Sequence, residues 1–427
     1  MNVNLKYGYE GLTVNLPETP NFKGLITPDE PSVVKEPLKK IYEMLEAPID
    51  SKPLSDIAKD RKNAVVVISD ITRPVPNETI LPPILKTIEN AGIKRENITI
   101  LIATGIHRPN KGEELVRLVG KEIAETYEIV NHLSKNDNDM GLTGYIGNGK
   151  VPVYINKHYL NADLKILTGF IEPHLWAGFS GGRKSILPGV SSIKTLEYMH
   201  GPEMVAHENT AYGILDGNPF HEAGIEIMEK AGADFIVNVT LNTDKEITGI
   251  FAGHPVKAHI EGCNFLSEYC IKYIDEPLDF ILTTNAGAPL DINLYQTVKG
   301  MSVSAPVLKK GGTILIVSKC FEGLGSPEYV EVLNMIDTPE NFLKRLMNNE
   351  FFIPDQWCAQ ETYRIITEHP TWIYSHGVDK ETLKKYFFHP VDSVEGAVKK
   401  LLTLYGNNAS WAILPDGPMV IVKLKKG

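Results

Sequence analysis

The sequence lacks the features that would place it in a membrane or in an oxidising compartment. No apolar run approaches the roughly 18 residues that a membrane-spanning helix needs, and the N-terminus lacks the basic region and apolar block of a secretory signal. The four cysteines form no Cys-x-x-Cys pair, which favours reduced, buried thiols over a disulfide framework or a zinc cluster. We therefore expect a cytoplasmic protein.

Clustered positive charge is also scarce. The formal net charge is -10 and the pI is about 5.7, whereas a nucleic-acid-binding surface concentrates Lys and Arg on one element. We therefore expect no nucleic-acid and no membrane partner, and a small molecule is the favoured ligand. The 427 residues contain no evident internal repeat and are enough for two domains with buried cores.

Short apolar runs rich in Val and Ile alternate with helical patterns. The runs of the first part are 64–68, 98–103, 164–167 and 235–239, with helical patterns at 80–91 and 111–127. Such runs predict strands buried on both faces of a largely parallel sheet. A second series includes the runs 280–283 and 313–317. We predict an α/β fold with two domains, each with a largely parallel sheet, and an active site in the cleft between them.

The acidic stretch around Asp275 marks the predicted domain boundary, which we place between residues 269 and 277. The N-terminal domain is expected to span 1–270 and the C-terminal domain 275–405. A final strand within about 411–427 is expected to return to the sheet of the N-terminal domain. The opening residues 5–16 alternate apolar and polar side chains, which predicts a β-hairpin.

Polar clusters follow the predicted strands. Arg73 follows the run 64–68, His107 follows 98–103, and His174 follows 164–167. Because ligands of an open α/β sheet bind beyond the carboxyl ends of its strands, we expect these three side chains to converge. In the second domain a helix is predicted after the run 280–283, and its Gln296 and Lys299 share one face.

These residue types point to binding of a carboxylate and to proton transfer. The planar guanidinium of Arg73 matches a carboxylate, although a structural salt bridge explains this residue equally well on its own. Histidine suits proton transfer in both directions near neutral pH. Two histidines at neighbouring strand ends favour that role over the surface role that each would have singly. The other histidines, including His132, have no comparable setting and are interpreted as structural.

The glycine-rich segment 178–185 is similar to a phosphate loop, Gly-x-x-x-x-Gly-Lys-Ser/Thr. Arg183 stands where that motif requires glycine, and the preceding run ends too early. The segment therefore predicts backbone donors for an anion and an amine at Lys184, not a nucleoside-triphosphate site. His200 makes sense as a metal ligand only when other donors complete the site, since Pro202 makes a shared helical face with His207 doubtful.

Taken together, these segments resemble the nickel-dependent lactate racemases, which carry a nickel-pincer nucleotide. The matching segments follow one another across nearly the whole chain and are Asp70-Ile-Thr-Arg73-Pro, Thr104-Gly-Ile-His107-Arg, Glu172-Pro-His174, Ser180-Gly-Gly-Arg-Lys184-Ser, His200 and Tyr295-Gln296-Thr-Val-Lys299-Gly. The combination is specific, although no single segment is.

The resemblance implies a cofactor and a set of site residues. The cofactor would be nickel with a pyridinium-3-thioamide-5-thiocarboxylic acid mononucleotide covalently attached to Lys184, and His200 would complete the nickel site. The other implied cofactor-binding residues are Asp70, Ile71, Thr72, Arg73 and Trp357, and for Trp357 a place in the core is the alternative. The implied catalytic residues are His107 and His174, and the implied substrate-binding residues are Arg73, Tyr295, Gln296 and Lys299.

The implied reaction is the interconversion of D- and L-lactate by hydride transfer to this cofactor, with a pyruvate intermediate. Because the cofactor is made elsewhere, the resemblance also implies cofactor-maturation proteins as partners. The nearest alternative is a racemase or epimerase of another 2-hydroxy acid or of a sugar acid. A binding or carrier protein is a second alternative, and a phosphate-loop kinase or triphosphatase, which Arg183 disfavours, is a third.

Overall fold

A computed structural model describes residues 1–425 of the chain, which divide into two compact units. The N-terminal unit comprises Glu30–His200 and Ile214–Glu268. The C-terminal unit comprises Met1–Asp29, Gly201–Gly213 and the described residues from Tyr269 onward. The division at Tyr269 lies within the range 269–277 where we placed the boundary, whereas two earlier segments that we placed in the first domain belong to the C-terminal unit.

The secondary structure of the described residues alternates strands and helices. The strands are β1 (Asn2–Leu5), β2 (Leu12–Asn15), β3 (Phe22–Leu25), β4 (Ala64–Ser69), β5 (Ile98–Ala103), β6 (Glu128–Asn131), β7 (Met140–Ile146), β8 (Val151–Asn156), β9 (Leu164–Phe170), β10 (Pro173–His174), β11 (Gly178–Phe179), β12 (Phe235–Leu241), β13 (Ile247–Gly253), β14 (Ile271–Ile274), β15 (Leu278–Thr284), β16 (Leu308–Val317), β17 (Thr371–Tyr374), β18 (His389–Pro390), β19 (Trp411–Leu414) and β20 (Ile421–Leu424). The α-helices are α1 (Pro37–Glu46), α2 (Leu54–Ala58), α3 (Asn77–Asn90), α4 (Glu113–Val119), α5 (Lys121–Thr126), α6 (Lys157–Leu160), α7 (Ile193–Met199), α8 (Pro202–Ala206), α9 (Pro219–Ala231), α10 (Lys257–Cys270), α11 (Leu294–Ser304), α12 (Pro327–Asn334), α13 (Pro339–Met347), α14 (Gln356–Glu368), α15 (Lys380–Lys385) and α16 (Val394–Tyr405).

The sheet of the N-terminal unit has six strands in the order β13-β12-β9-β4-β5-β6, all parallel to their neighbours except β13. The apolar run of β4 is buried because its residues pack on both faces of this sheet, with Val66 and Ile68 in one core with Ile80 and Ile84 of α3. The predicted α/β class with largely parallel sheets is confirmed. Strands β4, β5 and β9 are neighbours, so their carboxyl ends lie side by side.

The sheet of the C-terminal unit also has six strands, in the order β18-β17-β16-β15-β19-β3, and all of its pairs are parallel. The expectation that the last strand joins the N-terminal sheet is corrected. Strand β19 lies between β15 and β3, and β20 pairs with β14. Trp411 of β19 explains the placement, since its ring stacks on Phe280 at 5.1 Å and lies 4.5 Å from Phe22. Residues 426 and 427 are outside the described part.

Two further predictions of the sequence are confirmed. Strands β1 and β2 pair antiparallel as an opening hairpin that begins three residues before the predicted range 5–16, and their Val3, Leu5 and Val14 join the core of the C-terminal unit. The four cysteines are buried thiols. Within residues 1–425, no helix combines the length and the apolar character that crossing a bilayer requires.

The buried residue His132 of the N-terminal unit predicts a pH dependence of stability. Its Nε2 lies 2.9 Å from the Ser191 carbonyl oxygen and its Nδ1 3.2 Å from the Asn156 amide nitrogen. Burial lowers the pKa of His132 to about 4, so protonation favours the unfolded chain, in which a histidine has a pKa near 6.5. We expect the free energy of unfolding to fall by about 3 kcal/mol through this residue as the pH drops from about 6.5 to about 4.

Urea unfolding of the wild type and of His132→Gln across this pH range measures the effect. The other titrating groups are common to both proteins and cancel in the difference. The stability advantage of the wild type should shrink as the pH falls, and a difference that stays constant would contradict the assignment.

Candidate active site

Asp70 and His107 form a hydrogen-bonded pair at the carboxyl ends of the neighbouring strands β4 and β5. His107 Nδ1 lies 2.6 Å from Asp70 Oδ2, and the Thr72 hydroxyl donates to Asp70 Oδ1 at 2.6 Å. Burial opposes ionisation of Asp70, but the hydrogen bonds from His107 and Thr72 and the nearby positive charges outweigh it, and the pKa of the Asp70 carboxyl is lowered. The carboxylate is 4% exposed and the imidazole 45%. A buried carboxylate therefore supports an accessible imidazole.

The loop that carries the pair is held by its own backbone. The Arg73 N–H donates to the Asp70 carbonyl oxygen at 3.1 Å, and the Ile71 N–H donates to Asn110 Oδ1 at 3.2 Å. Thr72 and Arg73 have exposed side chains, whereas Ile71 is partly buried. The segment predicted to bind a cofactor thus presents a hydroxyl and a guanidinium at the edge of the sheet.

His174 lies beyond the end of β9, the other neighbour of β4, in a tight hairpin of β10 and β11. Its Nδ1 accepts hydrogen bonds from the backbone N–H groups of Trp176 and Ala177, both at 3.2 Å. Gly178 pairs with His174 at a φ of +74°, and a Cβ there would lie 2.2 Å from the Ile214 carbonyl oxygen, so only glycine fits. The hairpin therefore holds the partly buried His174 ring in place.

An aromatic cluster of Trp176, His200 and Phe220 joins the two ends of the His174–His200 segment. The His200 ring lies edge-on to Trp176 at 5.5 Å and to Phe220 at 5.3 Å. Lys184 Nζ is 5.9 Å from the centre of the Phe220 ring, and the His174 ring is 6.3 Å from that of Trp176. The structure thus brings His174, Lys184 and His200 around one aromatic cluster.

His200 follows the last residue of α7, a helix whose first turn is capped by the Ser192 side chain. Its Nδ1 lies 3.0 Å from the Leu196 carbonyl oxygen, so Nδ1 carries the proton and Nε2 the lone pair. Burial, together with the smaller effect of the charge of Lys184, lowers the pKa of His200 to about 4. A neutral imidazole of this kind is a ligand that nickel accepts.

These residues fit a metal-bearing cofactor that is attached to a lysine. The amine of Lys184 and the neutral imidazole of His200 share the aromatic cluster, and Trp176 Nε1 is a buried donor without a hydrogen-bond partner among residues 1–425. Such an uncompensated donor suits a polar ligand beside the cluster. In the described chain no three His, Cys, Asp or Glu side chains are grouped so as to hold a metal ion.

The glycine-rich segment is not a phosphate loop. Gly182–Ser185 form a short 3-10 turn and no α-helix, and the Gly182 N–H donates to Asn238 Oδ1 at 2.8 Å, so this expected anion donor is already used. The buried guanidinium of Arg183 instead donates to the carbonyl oxygens of Ala177 at 2.6 Å and Phe179 at 3.1 Å. Arg183, which in the sequence is only a mismatch to the phosphate-loop motif, anchors the loop that carries Lys184.

The residues predicted to bind substrate from the second domain lie on α11 of the C-terminal unit. The Asn293 side chain caps this helix by accepting from the Gln296 N–H at 3.1 Å. Trp357 of α14 is buried, and its Nε1 donates to the hydroxyl oxygen of Tyr295 at 3.2 Å. Gln296 Oε1 is buried and finds no hydrogen-bond partner within the described part of the chain. Lys299 lies one turn further along the same partly buried face.

Sequence reasoning missed Phe220 and the role of Trp176. The Asn218 side chain links the two residues. Its oxygen accepts from the Phe220 N–H at 2.9 Å, which caps α9, and its NH₂ group donates to the Trp176 carbonyl oxygen at 2.8 Å. The Asn218-Pro219 pair is typical of a helix start, but nothing in the sequence indicates the contact with residue 176.

Comparisons with known proteins identify the family of the chain. Residues 7–213 match the family described as Lactate racemase N-terminal domain, and residues 274–422 match Lactate racemase C-terminal domain. A lactate racemase from Thermoanaerobacterium thermosaccharolyticum is 36% identical over 428 residues, which cover 99% of this chain and 100% of that protein. A lactate racemase from Lactiplantibacillus plantarum is 38% identical over 90% of each chain.

Solved structures give the same result. The lactate racemase apoprotein from Thermoanaerobacterium thermosaccharolyticum superimposes with a TM-score of 0.93 at 35% identity, covering 99% of this chain and 100% of that chain. A protein from Thermotoga maritima shares the fold with a TM-score of 0.67 at 21% identity, covering 91% of this chain and 98% of that one. The chain therefore belongs to the lactate racemase family, a family of isomerases.

Proposed function

We propose that this protein interconverts D- and L-lactate by hydride transfer, with a nickel-pincer nucleotide covalently attached to Lys184. The observation that carries the proposal is that His174, Lys184 and His200 lie around one aromatic cluster. This cluster follows β9, and the Asp70–His107 pair follows β4 and β5, of which β4 is the neighbour of β9. Lactate is the proposed substrate because both similar proteins described above are lactate racemases.

The cofactor would be held by residues of the N-terminal unit. The amine of Lys184 would form the covalent link, and His200 Nε2 would complete the coordination of nickel, which accepts sulfur and imidazole ligands together. Asp70, Ile71, Thr72 and Arg73 lie on the loop after β4, where the exposed hydroxyl and guanidinium suit the nucleotide phosphate. When bound, the cofactor supplies an acceptor for a hydride.

The two histidines would transfer the hydroxyl proton of lactate, not the hydrogen on its carbinol carbon. The carbinol hydrogen of lactate is hardly acidic, because the adjacent carboxylate is already anionic, so histidine alone would remove it too slowly. If that hydrogen leaves with its electron pair, the hydroxyl group must lose its proton to give the carbonyl of pyruvate. His107 and His174 would take and return this proton, one for each enantiomer.

Residues that recognise the substrate complete the proposal. Arg73 would bind either the substrate carboxylate or the adjacent cofactor through its exposed guanidinium. Tyr295, Gln296 and Lys299 are assigned to the substrate by their match to the family's motif, and the buried Oε1 atom of Gln296 is supporting evidence. Trp357 is assigned to the cofactor on the weaker ground of the resemblance.

A chiral assay of the nickel-loaded enzyme tests the function. The chain would be produced together with cofactor-maturation proteins, the proposed partners, and given a panel of 2-hydroxy acids that includes lactate deuterated at C2. We expect lactate to be racemised fastest, with the deuterium retained at C2 because a hydride does not exchange with water. Exchange of the label would contradict hydride transfer, and bound nickel without any change of stereochemistry would indicate a binding protein instead.

A further inference from the structure

The two histidines proposed to transfer protons have opposite hydrogen-bond surroundings at Nδ1. His107 Nδ1 faces a carboxylate oxygen, Asp70 Oδ2, at 2.6 Å. His174 Nδ1 faces two N–H donors, those of Trp176 and Ala177, each at 3.2 Å. Because a neutral imidazole carries its proton on only one nitrogen, the partner at Nδ1 decides which group Nε2 presents.

We infer that Asp70 is a positioning residue that keeps the proton of His107 on Nδ1, and that the Trp176 and Ala177 N–H groups keep the proton of His174 on Nε2. The inference rests on the proposed function for its catalytic meaning, and it goes beyond the cofactor-binding role that the resemblance assigns to Asp70. His107 then presents a lone pair at Nε2, whereas His174 presents an N–H.

The surroundings of Asp70 support its half of the inference. Both the backbone N–H of Thr72, at 3.2 Å, and its hydroxyl, at 2.6 Å, donate to Asp70 Oδ1. An ionised carboxylate only accepts hydrogen bonds, so the remaining oxygen, Oδ2, requires a donor from His107. The side chain of Asp70 is 4% exposed, and loss of this donor would leave a buried oxygen unpaired, which is costly.

The backbone supports the other half. A proton on His174 Nδ1 would point at two N–H groups, which would then lose their acceptor. The backbone that carries both donors is fixed, because the hairpin pairs residue 174 with Gly178, where a Cβ would lie 2.2 Å from the Ile214 carbonyl oxygen. The hairpin therefore opposes the Nδ1–H form of His174 in the resting enzyme.

The two histidines therefore differ before substrate binds: His107 is ready to accept a proton, and His174 to donate a hydrogen bond. The O–H bond of lactate breaks as its proton forms a bond to His107 Nε2. The electron pair left on oxygen forms the carbonyl of pyruvate, and the C2 hydrogen would leave as a hydride to the acceptor that the bound cofactor supplies. The resulting imidazolium is stabilised by the Asp70 carboxylate, as in the His–Asp arrangement of serine proteases. His174 meets the substrate as a hydrogen-bond donor. It accepts a proton at Nε2 only after the two backbone hydrogen bonds at Nδ1 are given up.

Ring-nitrogen NMR of the full chain, purified without cofactor and labelled with 15N-histidine, tests the inference directly. His107→Gln and His174→Gln assign the signals. In the wild type, long-range 1H–15N correlations should place the proton on Nδ1 of His107 and on Nε2 of His174. A proton on Nε2 of His107 or on Nδ1 of His174 would overturn the inference.

The variant Asp70→Asn should reverse the pattern of His107 alone. Both donors of Thr72 point at the position of Oδ1, so the amide oxygen of asparagine occupies it and the NH₂ group faces His107. Nδ1 then becomes an acceptor and the proton moves to Nε2. A His107 pattern that does not change in Asp70→Asn would refute the role of Asp70.

Activity of the loaded enzyme gives a second readout. Asp70→Asn should lower kcat/KM for lactate by about 10²-fold to 10⁴-fold, the range in which general-base catalysis contributes, with an unchanged Lys184 adduct and nickel content. Asp50→Asn is the matched control, since Asp50 pairs at 2.6 Å with Lys257 on the surface of the same unit. An Asp70→Asn enzyme whose activity fell only in proportion to its adduct would owe the loss to cofactor binding, and the inference would be overturned. The NMR result needs no substrate, so failure of this inference is distinguishable from failure of the proposed function.

Discussion

Lys184→Ala is expected to abolish both the covalent mass increase of the mature protein and its racemase activity. Alanine has no amine to form the link, and the other contacts around the site cannot replace a covalent bond. The fold should survive, because the Lys184 backbone N–H donates to the Gly181 carbonyl oxygen at 3.1 Å and Arg183 anchors the same loop. Intact-protein mass and a chiral lactate assay measure the two quantities.

Two further variants separate the covalent link from the positive charge. Lys184→Arg keeps the charge near Phe220 but has no primary amine, so it too should lack the adduct and the activity. Lys194→Ala removes a surface lysine of the same unit that pairs with Asp137 at 2.7 Å, and it should retain both. A protein that racemises lactate without an adduct on residue 184 would show that the proposed mechanism is wrong.

The sequence predicts the secondary structure best in segments whose apolar composition by itself indicates a buried strand. The apolar run of β4 predicts a buried strand, and five residues of that strand are buried in the structure. The run 98–103 predicts both ends of β5 correctly. The helical pattern 111–127 is divided into α4 and α5 at Gly120, whose φ is +83°. Glycine is the residue that adopts such a conformation at little cost.

Local sequence patterns do not predict which distant segments pair in a sheet. Strand β3, Phe22-Lys-Gly-Leu25, has no long apolar run, yet it lies parallel to β19, nearly the whole chain length away. The packing of Phe22 against Trp411 stabilises that pair, and a ring contact between residues so far apart leaves no periodicity in either segment. The misplacement of β3 and β19 follows from this contact between distant segments.

The same distinction holds for the candidate site. The rule that ligands bind beyond the carboxyl ends of parallel strands predicts His107 and His174 at neighbouring strand ends, whereas the structure places them after β5 and β9, the two strands that flank β4. It did not reveal that Asp70 touches His107, because the carboxylate and the imidazole come from different loops. Nor did it reveal Phe220, which reaches the aromatic cluster through the cap of α9 and carries no chemistry of its own.

His200→Ala is expected to abolish racemisation while leaving the adduct on Lys184 in place. The variant removes the proposed nickel ligand, whose Nε2 lone pair is set by the hydrogen bond from Nδ1 to the Leu196 carbonyl oxygen at 3.0 Å. Activity should fall by more than the 10-fold to about 100-fold that loss of a residue behind a metal ligand costs. The ratio of nickel to adduct should fall with it, which intact mass and metal analysis measure together.

Rescue distinguishes a lost ligand from a disturbed fold. Alanine leaves a cavity the size of an imidazole between Trp176 and Phe220, whose rings lie 5.5 Å and 5.3 Å from that of His200. Imidazole added to the His200→Ala enzyme should therefore restore part of the activity, because it supplies the missing nitrogen at the same place. The exposed His207 serves as the control, and His207→Ala should behave as the wild type with and without imidazole. Full activity and full nickel content in His200→Ala would assign the metal to other ligands.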